Sequence, residues 1–143
     1  MAKHAASLRI KKVARKEKKA FNEKDIKYWK ARVRKECHKY IRLRDAELPC
    51  ISCGITTGQF HAGHYRPATN SITRYNVDNI HKQCAQCNEK KSGNLIPYRI
   101  NLIDKVGIDK VEWLESANGV QRWTIDELKR ELSKFKTLNR ELI

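Results

Sequence analysis

Apolar residues recur between positions 23 and 48 at three- and four-residue steps. Ile26, Trp29, Val33, Cys37 and Tyr40 or Ile41 fall on one face, the spacing of a helix that buries a stripe. The run ends near Leu48-Pro49, and the pattern changes. A β-prone stretch covers Phe60 to Tyr65, a polar loop continues through Asn76, and a second strand-like piece spans Asn79 to Lys82. A short helix then follows Cys87 and is expected to stop at Gly93. From Pro97 the helical step returns in Tyr98, Leu102, Ile103 and Val106, and after Gly107 it continues in Val111 and Leu114. A last helix carries Ile125, Leu128, Leu132, Phe135 and Leu138, and Thr124 and Glu127 have the capping-box spacing that starts it.

With 143 residues, 40% hydrophobic and 33% charged, the chain suits one domain with a modest core plus an appendage. Residues 1–22 are rich in Lys, Arg and Ala. They can form a helix but carry too few large apolar side chains to offset the ordering cost by burial, so fraying without a partner is expected. The domain is placed at 23–143, as a helix over 23–48, a core over 49–96 and helices over 97–143. Charge sharpens this division. The net charge is +15, and residues 1–45 hold 17 Lys and Arg against 5 Asp and Glu, which points to a polyanionic partner. Arg9, Lys11, Lys12 and Arg15 are the arm's candidate phosphate contacts. No apolar run approaches the ~18 residues of a membrane span, and the beginning lacks a secretory apolar stretch, so the chain is read as cytoplasmic.

In such a compartment cysteines serve metals more often than disulfides. Cys50-x-x-Cys53 and Cys84-x-x-Cys87 have the spacing of two turns around one tetrahedral Zn²⁺. Structural zinc contributes roughly 10 kcal/mol or more of apparent binding free energy to folding, enough to staple a thin core. Four thiolates close the coordination sphere, so the chemistry must lie elsewhere. Cys37 reads as a small buried apolar side chain.

The segment between the cysteine pairs holds His61-Ala62-Gly63-His64-Tyr65-Arg66 and Asp78-Asn79-Ile80-His81, and Asn88 follows the last cysteine. His64, Asn79 and Asn88 fall in the order of an HNH site. There the histidine is a general base on the first strand, the asparagine pins the hairpin, and the last residue faces the histidine across a divalent ion. Phosphodiester hydrolysis needs a deprotonated water, charge neutralisation and help for the leaving oxygen. An imidazole with a pKa near ~6.5 meets the first need, and partly hydrated Mg²⁺ or Mn²⁺ meets the others. His61 is the candidate second ligand, with a structural histidine as the alternative for it and for His81. Asn88 has helix capping as its alternative. Arg66, Lys82, Lys90 and Lys91 are candidate phosphate contacts. The expected fold is α+β: a zinc-stapled ββα-metal (HNH, His-Me finger) core with a long basic N-terminal helix and C-terminal helices.

The runs Leu48-Pro49-Cys50-Ile51-Ser52-Cys53-Gly54, Ala62-Gly63-His64-Tyr65-Arg66, Asn79-Ile80-His81-Lys82-Gln83-Cys84, Cys87-Asn88 and Lys91-Ser92-Gly93-Asn94-Leu95 resemble the NinG (Rap) recombination endonucleases of lambdoid phages. The resemblance implies a metal-dependent endonuclease that cuts branched DNA, Holliday junctions and D-loops, inside the bacterial host, alongside phage or host recombination proteins. The Cys-x-x-Cys-Asn ending is also similar to the endonuclease VII resolvases, which implies metal binding by Asn88 and a base role for His64. Two departures stand out: Gly63 occupies the place of a resolvase aspartate, and His61 that of an aspartate in a family member. Cutting a junction symmetrically needs two sites, so a homodimer is expected. Two other readings stay open, an HNH nuclease for linear duplex DNA and a non-enzymatic zinc-ribbon binder of nucleic acid.

Overall fold

The structure, a computed structural model, describes residues 2–143, with the side chains of 2 and 21–23 left out. The basic arm forms helix α1 (Ala2–Glu23). Its described side chains are exposed, Leu8, Ile10 and Val13 among them. Helix α2 (Ile26–Arg44) begins where the Asp25 carboxylate accepts the Lys27 N–H at 2.9 Å, a cap that satisfies a donor the first turn leaves open. Trp29, Val33, Cys37 and Ile41 form its buried stripe.

This helix is shorter at both ends than the expected 23–48. At its C-terminus Asp45 is buried, and the Asp45 N–H donates to Ile41 O at 2.9 Å. The Asp45 carboxylate accepts Arg44 Nε at 2.7 Å, Arg44 Nη2 at 2.8 Å and the Lys82 N–H at 3.0 Å. Arg44 also reaches Val77 O at 2.9 Å and Ile80 O at 2.8 Å. A buried charge is tolerated only when paired and hydrogen-bonded, and here that pairing locks the end of α2 to the hairpin.

The hairpin consists of β1 (Phe60–His64) and β2 (Ile80–Cys84), antiparallel, with His64 opposite Ile80 and Gly63 opposite His81. The second strand runs later than the expected Asn79 to Lys82, because Asn79 closes a short 3-10 turn over Val77–Asn79. Ala62 and Ile80 face a core made by α2, Tyr75 and α5 (Ile125–Glu141). Thr124 opens α5 with a complete capping box, and Leu128, Leu132 and Phe135 pack against α2. Asn139 ties the far end, donating to Glu36 O at 3.0 Å.

The opposite face of the hairpin meets α3 (Leu95–Val106) through Tyr98, which is fully buried and donates to Gly63 O at 2.7 Å. A second core joins Ile51, Tyr65, Tyr98 and Leu102 to Val111 and Leu114 of α4 (Ile108–Ser116). The expected short helix after Cys87 is a single wide π-turn over Gln86–Lys90. Gly93, at φ +92°, ends it by donating its N–H to Cys87 O at 2.9 Å. The result is a mixed α+β fold with one small two-stranded sheet. Among the described residues no helix is long and apolar enough to cross a membrane.

Candidate functional site

The four paired cysteines converge, with all their sulfurs within 4.8 Å of one another. Cys53 Sγ and Cys84 Sγ lie 3.7 Å apart, and sulfurs bound at about 2.3 Å to a tetrahedral zinc stand about 3.8 Å apart. Backbone amides aim at the sulfurs: Cys84 N and Cys53 N reach Cys50 Sγ at 3.3 and 3.5 Å, and Cys87 N reaches Cys84 Sγ at 3.4 Å. Asn94 Nδ2 adds a donor to Cys87 Sγ at 3.4 Å. Burial works against ionising Cys50, yet the amides of Cys53, Cys84 and Ser52 bring its thiol down to about 7. Burial and the neighbouring thiols push Cys87 up to about 12. Such a set is in position to hold a metal ion, and its all-sulfur chemistry is consistent with structural zinc. Cys37 stands apart in the α2 stripe, and burial pushes it up to about 12.

The second feature is a cleft of about 400 Å³ between α2, the β1 edge and the turn that follows the cysteines. Arg34, His38, His64, Tyr65, Asn88 and Leu95 are among its lining residues. His64 Nε2 lies 3.1 Å from Arg74 O. A carbonyl only accepts, so Nε2 carries the proton and Nδ1 keeps a free lone pair. Burial holds the pKa of His64 below its ordinary value, and the Arg74 charge acts in the same direction against the carbonyl. Asn88 sits one residue beyond Cys87 on the π-turn, so the cysteine cluster fixes its position. Its Nδ2 lies 3.0 Å from His61 Nδ1, which leaves Oδ1 as the hard oxygen for a cation.

His61 and His64 are three apart on a regular strand, so they project from opposite faces. His61 therefore reaches the cleft through Asn88, with the Glu89 carboxylate 3.7 Å from its Nδ1. Asn79 is fully buried and bridges two backbone segments. Its Oδ1 accepts the Arg66 N–H at 2.7 Å, and its Nδ2 donates to Arg66 O at 3.0 Å and Thr73 O at 3.2 Å. Gly63 has the Gln83 side chain pressed against the space a Cβ would fill. No side chain fits there without moving Gln83.

The cations are distributed unevenly. Arg66 spends its guanidinium on Leu114 O at 3.0 Å and Asn118 Oδ1 at 3.1 Å, at the end of α4. Lys82 donates to Ala46 O at 3.1 Å and lies over the Phe60 ring. Lys90 and Lys91 are exposed beside Asn88, and Arg9, Lys11, Lys12 and Arg15 are exposed on α1. His81 packs against Tyr98 in the core, where burial lowers its pKa to about 3. His38 was not apparent from sequence. Its ring centroid is 5.8 Å from that of His64, and burial first, then His64, lower its pKa to about 4. The available signal was its place one turn after Arg34, beside the buried Cys37.

A sequence model of the family described as "Bacteriophage Lambda NinG protein" matches residues 1–143. Protein ninG of Escherichia phage lambda is 44% identical over 117 residues, covering 80% of this chain and 57% of its own length. Protein ninG of Salmonella phage P22 is 44% identical over 117 residues, with 80% and 58% covered. For Enterobacteria phage H19B the identity is 47% over 104 residues, with 71% and 52% covered. The chain thus spans a little over half the length of these relatives, and no solved structure matches it. With the family match running from end to end and the paired cysteines and His64–Asn88 cleft inside it, the chain belongs to the NinG family of phage proteins.

Proposed function

We propose that the chain is a metal-dependent DNA endonuclease of the HNH (ββα-metal) kind, acting on branched recombination intermediates such as Holliday junctions and D-loops. One arrangement supports this reading: His64, with its Nδ1 lone pair unengaged, and Asn88, with its Nδ2 held by His61, line the same cleft. In this reading β1, β2 and the π-turn are the ββα-metal core, and the zinc-bound cysteines are its staple. His64 Nδ1 takes a proton from water as the oxygen attacks phosphorus and the bond to the 3′ oxygen breaks. The resulting imidazolium is held by Arg74 O through Nε2–H. Mg²⁺ or Mn²⁺ held at Asn88 Oδ1 would neutralise charge on the phosphate and aid the leaving oxygen.

The cleft lining contains no carboxylate among the described residues. That suits an ion that keeps most of its water and is completed by substrate phosphate oxygens. Lys90, Lys91 and the α1 cations would contact phosphates, and branch selectivity would come from shape, since no base-reading element is evident among the described residues. A homodimer would place two such clefts on one junction.

The test compares a four-way junction with a linear duplex of the same sequence, with Mg²⁺ or Mn²⁺ present. The expected result is cleavage of the junction at least about tenfold faster, a difference of about 1.4 kcal/mol in transition-state binding. Equal rates would remove the junction preference. Metal-dependent cleavage of neither would leave a binder of nucleic acid.

A further inference from the structure

We propose that Lys27, Lys30 and Arg34 of α2, with Arg74 from the loop before β2, form a groove that seats backbone phosphates of the DNA strand leading into the cleft. The inference rests on the nuclease reading for its substrate and on separate residues for its geometry. Lys27, Lys30, Ala31, Arg34, Arg74 and Tyr75 enclose a hollow of about 210 Å³ that contains no carboxylate. On α2 the three cations sit three and four residues apart, hence on one face, with Ala31 as a small floor between them. None of the four cations forms an ion pair among the described residues. Arg74 lies over the Tyr75 ring, 6.0 Å from its centroid, and no carboxylate among the described residues neutralises any of the four.

The groove is built before any ligand arrives. Tyr75 is 5% exposed, its ring meets Trp123 at 5.2 Å, and its hydroxyl donates to Lys30 O at 3.5 Å. This pins the loop carrying Arg74 against α2, so little ordering remains to be done on binding. Two links join groove to cleft. Arg34 lines both hollows, and Arg74, whose side chain walls the groove, lends its carbonyl to His64 Nε2 at 3.1 Å. A strand lying on these cations therefore arrives beside the imidazole. From Lys27 to Arg34 the helix advances about 10 Å, which at about 3.4 Å per nucleotide along one strand covers roughly three nucleotides. Charge complementarity and this continuity identify the occupant as the scissile strand's own flanking phosphates.

The test measures binding of a fluorescently labelled four-way junction to the full zinc-loaded chain by anisotropy across a salt series, with Ca²⁺ in place of Mg²⁺. Lys27→Ser/Lys30→Ser/Arg34→Ser is compared with Lys129→Ser/Lys136→Ser/Arg140→Ser, three cations lining a different hollow between α2 and α5. The groove triple is expected to lower the slope of log affinity against log salt by about 2 to 3, at about 0.9 per lost phosphate contact. The α5 triple is expected to leave the slope unchanged. Single groove substitutions, which leave the fold intact at these surface sites, are expected to remove about one third of the effect each.

Equal slopes for wild type and the groove triple would overturn the proposal, as would an equal loss in the α5 triple. Capture of a polyglutamate peptide in preference to DNA, abolished by the groove triple, would also overturn it by assigning the groove to an acidic protein segment. The two readings fail separately. A slope change without Mg²⁺-dependent cleavage by wild type removes the nuclease and keeps the groove. His64-dependent cleavage with an unchanged slope removes the groove alone.

Discussion

His64→Ala is expected to reduce Mg²⁺-dependent cleavage by about 10²- to 10⁴-fold, the usual worth of a positioned general base, while zinc content and helical circular dichroism stay at wild-type levels. The imidazole is half-buried at the cleft wall and lies outside the apolar core that Ala62 and Ile80 join. pH gives a second readout. Burial depresses the pKa of His64, so the base form dominates at neutral pH and the rate is expected to be flat there. Below about pH 6.5 it should fall, tenfold per pH unit, once the depressed pKa is passed.

Stability must be followed in the same window. His38 and His81 are held neutral, with pKa values near 4 and 3. Above the unfolded value near 6.5 they cost the fold nothing, and as pH falls below it the unfolded chain takes up protons that the folded chain refuses. The fold is therefore expected to weaken progressively from about pH 6.5 toward pH 3, and rates count only where the thermal transition is intact. Cleavage by His64→Ala within a factor of two of wild type would show that the base is another group.

Stripping metal from the cysteine cluster, by a strong chelator or by Cys84→Ser, is expected to abolish the cooperative thermal transition. Metal coupling of roughly 10 kcal/mol is as large as the whole stability of a typical domain, about 5–15 kcal/mol. The structure gives a local reason as well. The cluster joins the Cys50 turn to the end of β2 and to the π-turn, so without it Asn88 has lost its anchor. The check is calorimetry with metal analysis: one zinc per chain in wild type, recovery of the transition when Zn²⁺ is returned after chelation, and no recovery for Cys84→Ser. Cys37→Ser serves as the contrast. Its thiol is buried among α2 and α5 side chains, so it is expected to lower stability while leaving metal stoichiometry at one. A chelated chain that melts as cooperatively as the metal-loaded one would contradict the staple.

The periodic features of this fold were legible in the sequence because each is set by local physics. The Trp29, Val33, Cys37, Ile41 stripe and the Thr124–Glu127 box lie in the structure where spacing placed them. The cysteine pairs were readable for the same reason, since two short turns fix where their sulfurs point. Features that depend on distant partners were not readable. Nothing near Asp45 announces that its carboxylate ends α2 early by meeting an amide of β2. Arg66 and Lys82 carry the right charge for phosphate, but the fold brings carbonyl oxygens within their reach. His38 comes to the cleft only because α2 lies across the hairpin, which sets its ring 5.8 Å from that of His64. His61 as a second ligand beside His64 would require an irregular strand, and β1 is regular, with the space under Gly63 filled by Gln83.

The dependence of DNA cleavage rate on Mg²⁺ concentration, measured for wild type, Asn88→Ala and Asn88→Asp, bears most directly on the central claim. A cation held at Asn88 Oδ1 opposite His64 predicts a saturable dependence in wild type. It predicts a half-saturating concentration raised by at least about 10- to 100-fold in Asn88→Ala, the scale seen when metal-site interactions are lost. Asn88→Asp, which keeps the oxygen, is predicted to restore saturation near the wild-type concentration. Identical Mg²⁺ curves for wild type and Asn88→Ala, or no Mg²⁺-dependent cleavage by wild type, would contradict it.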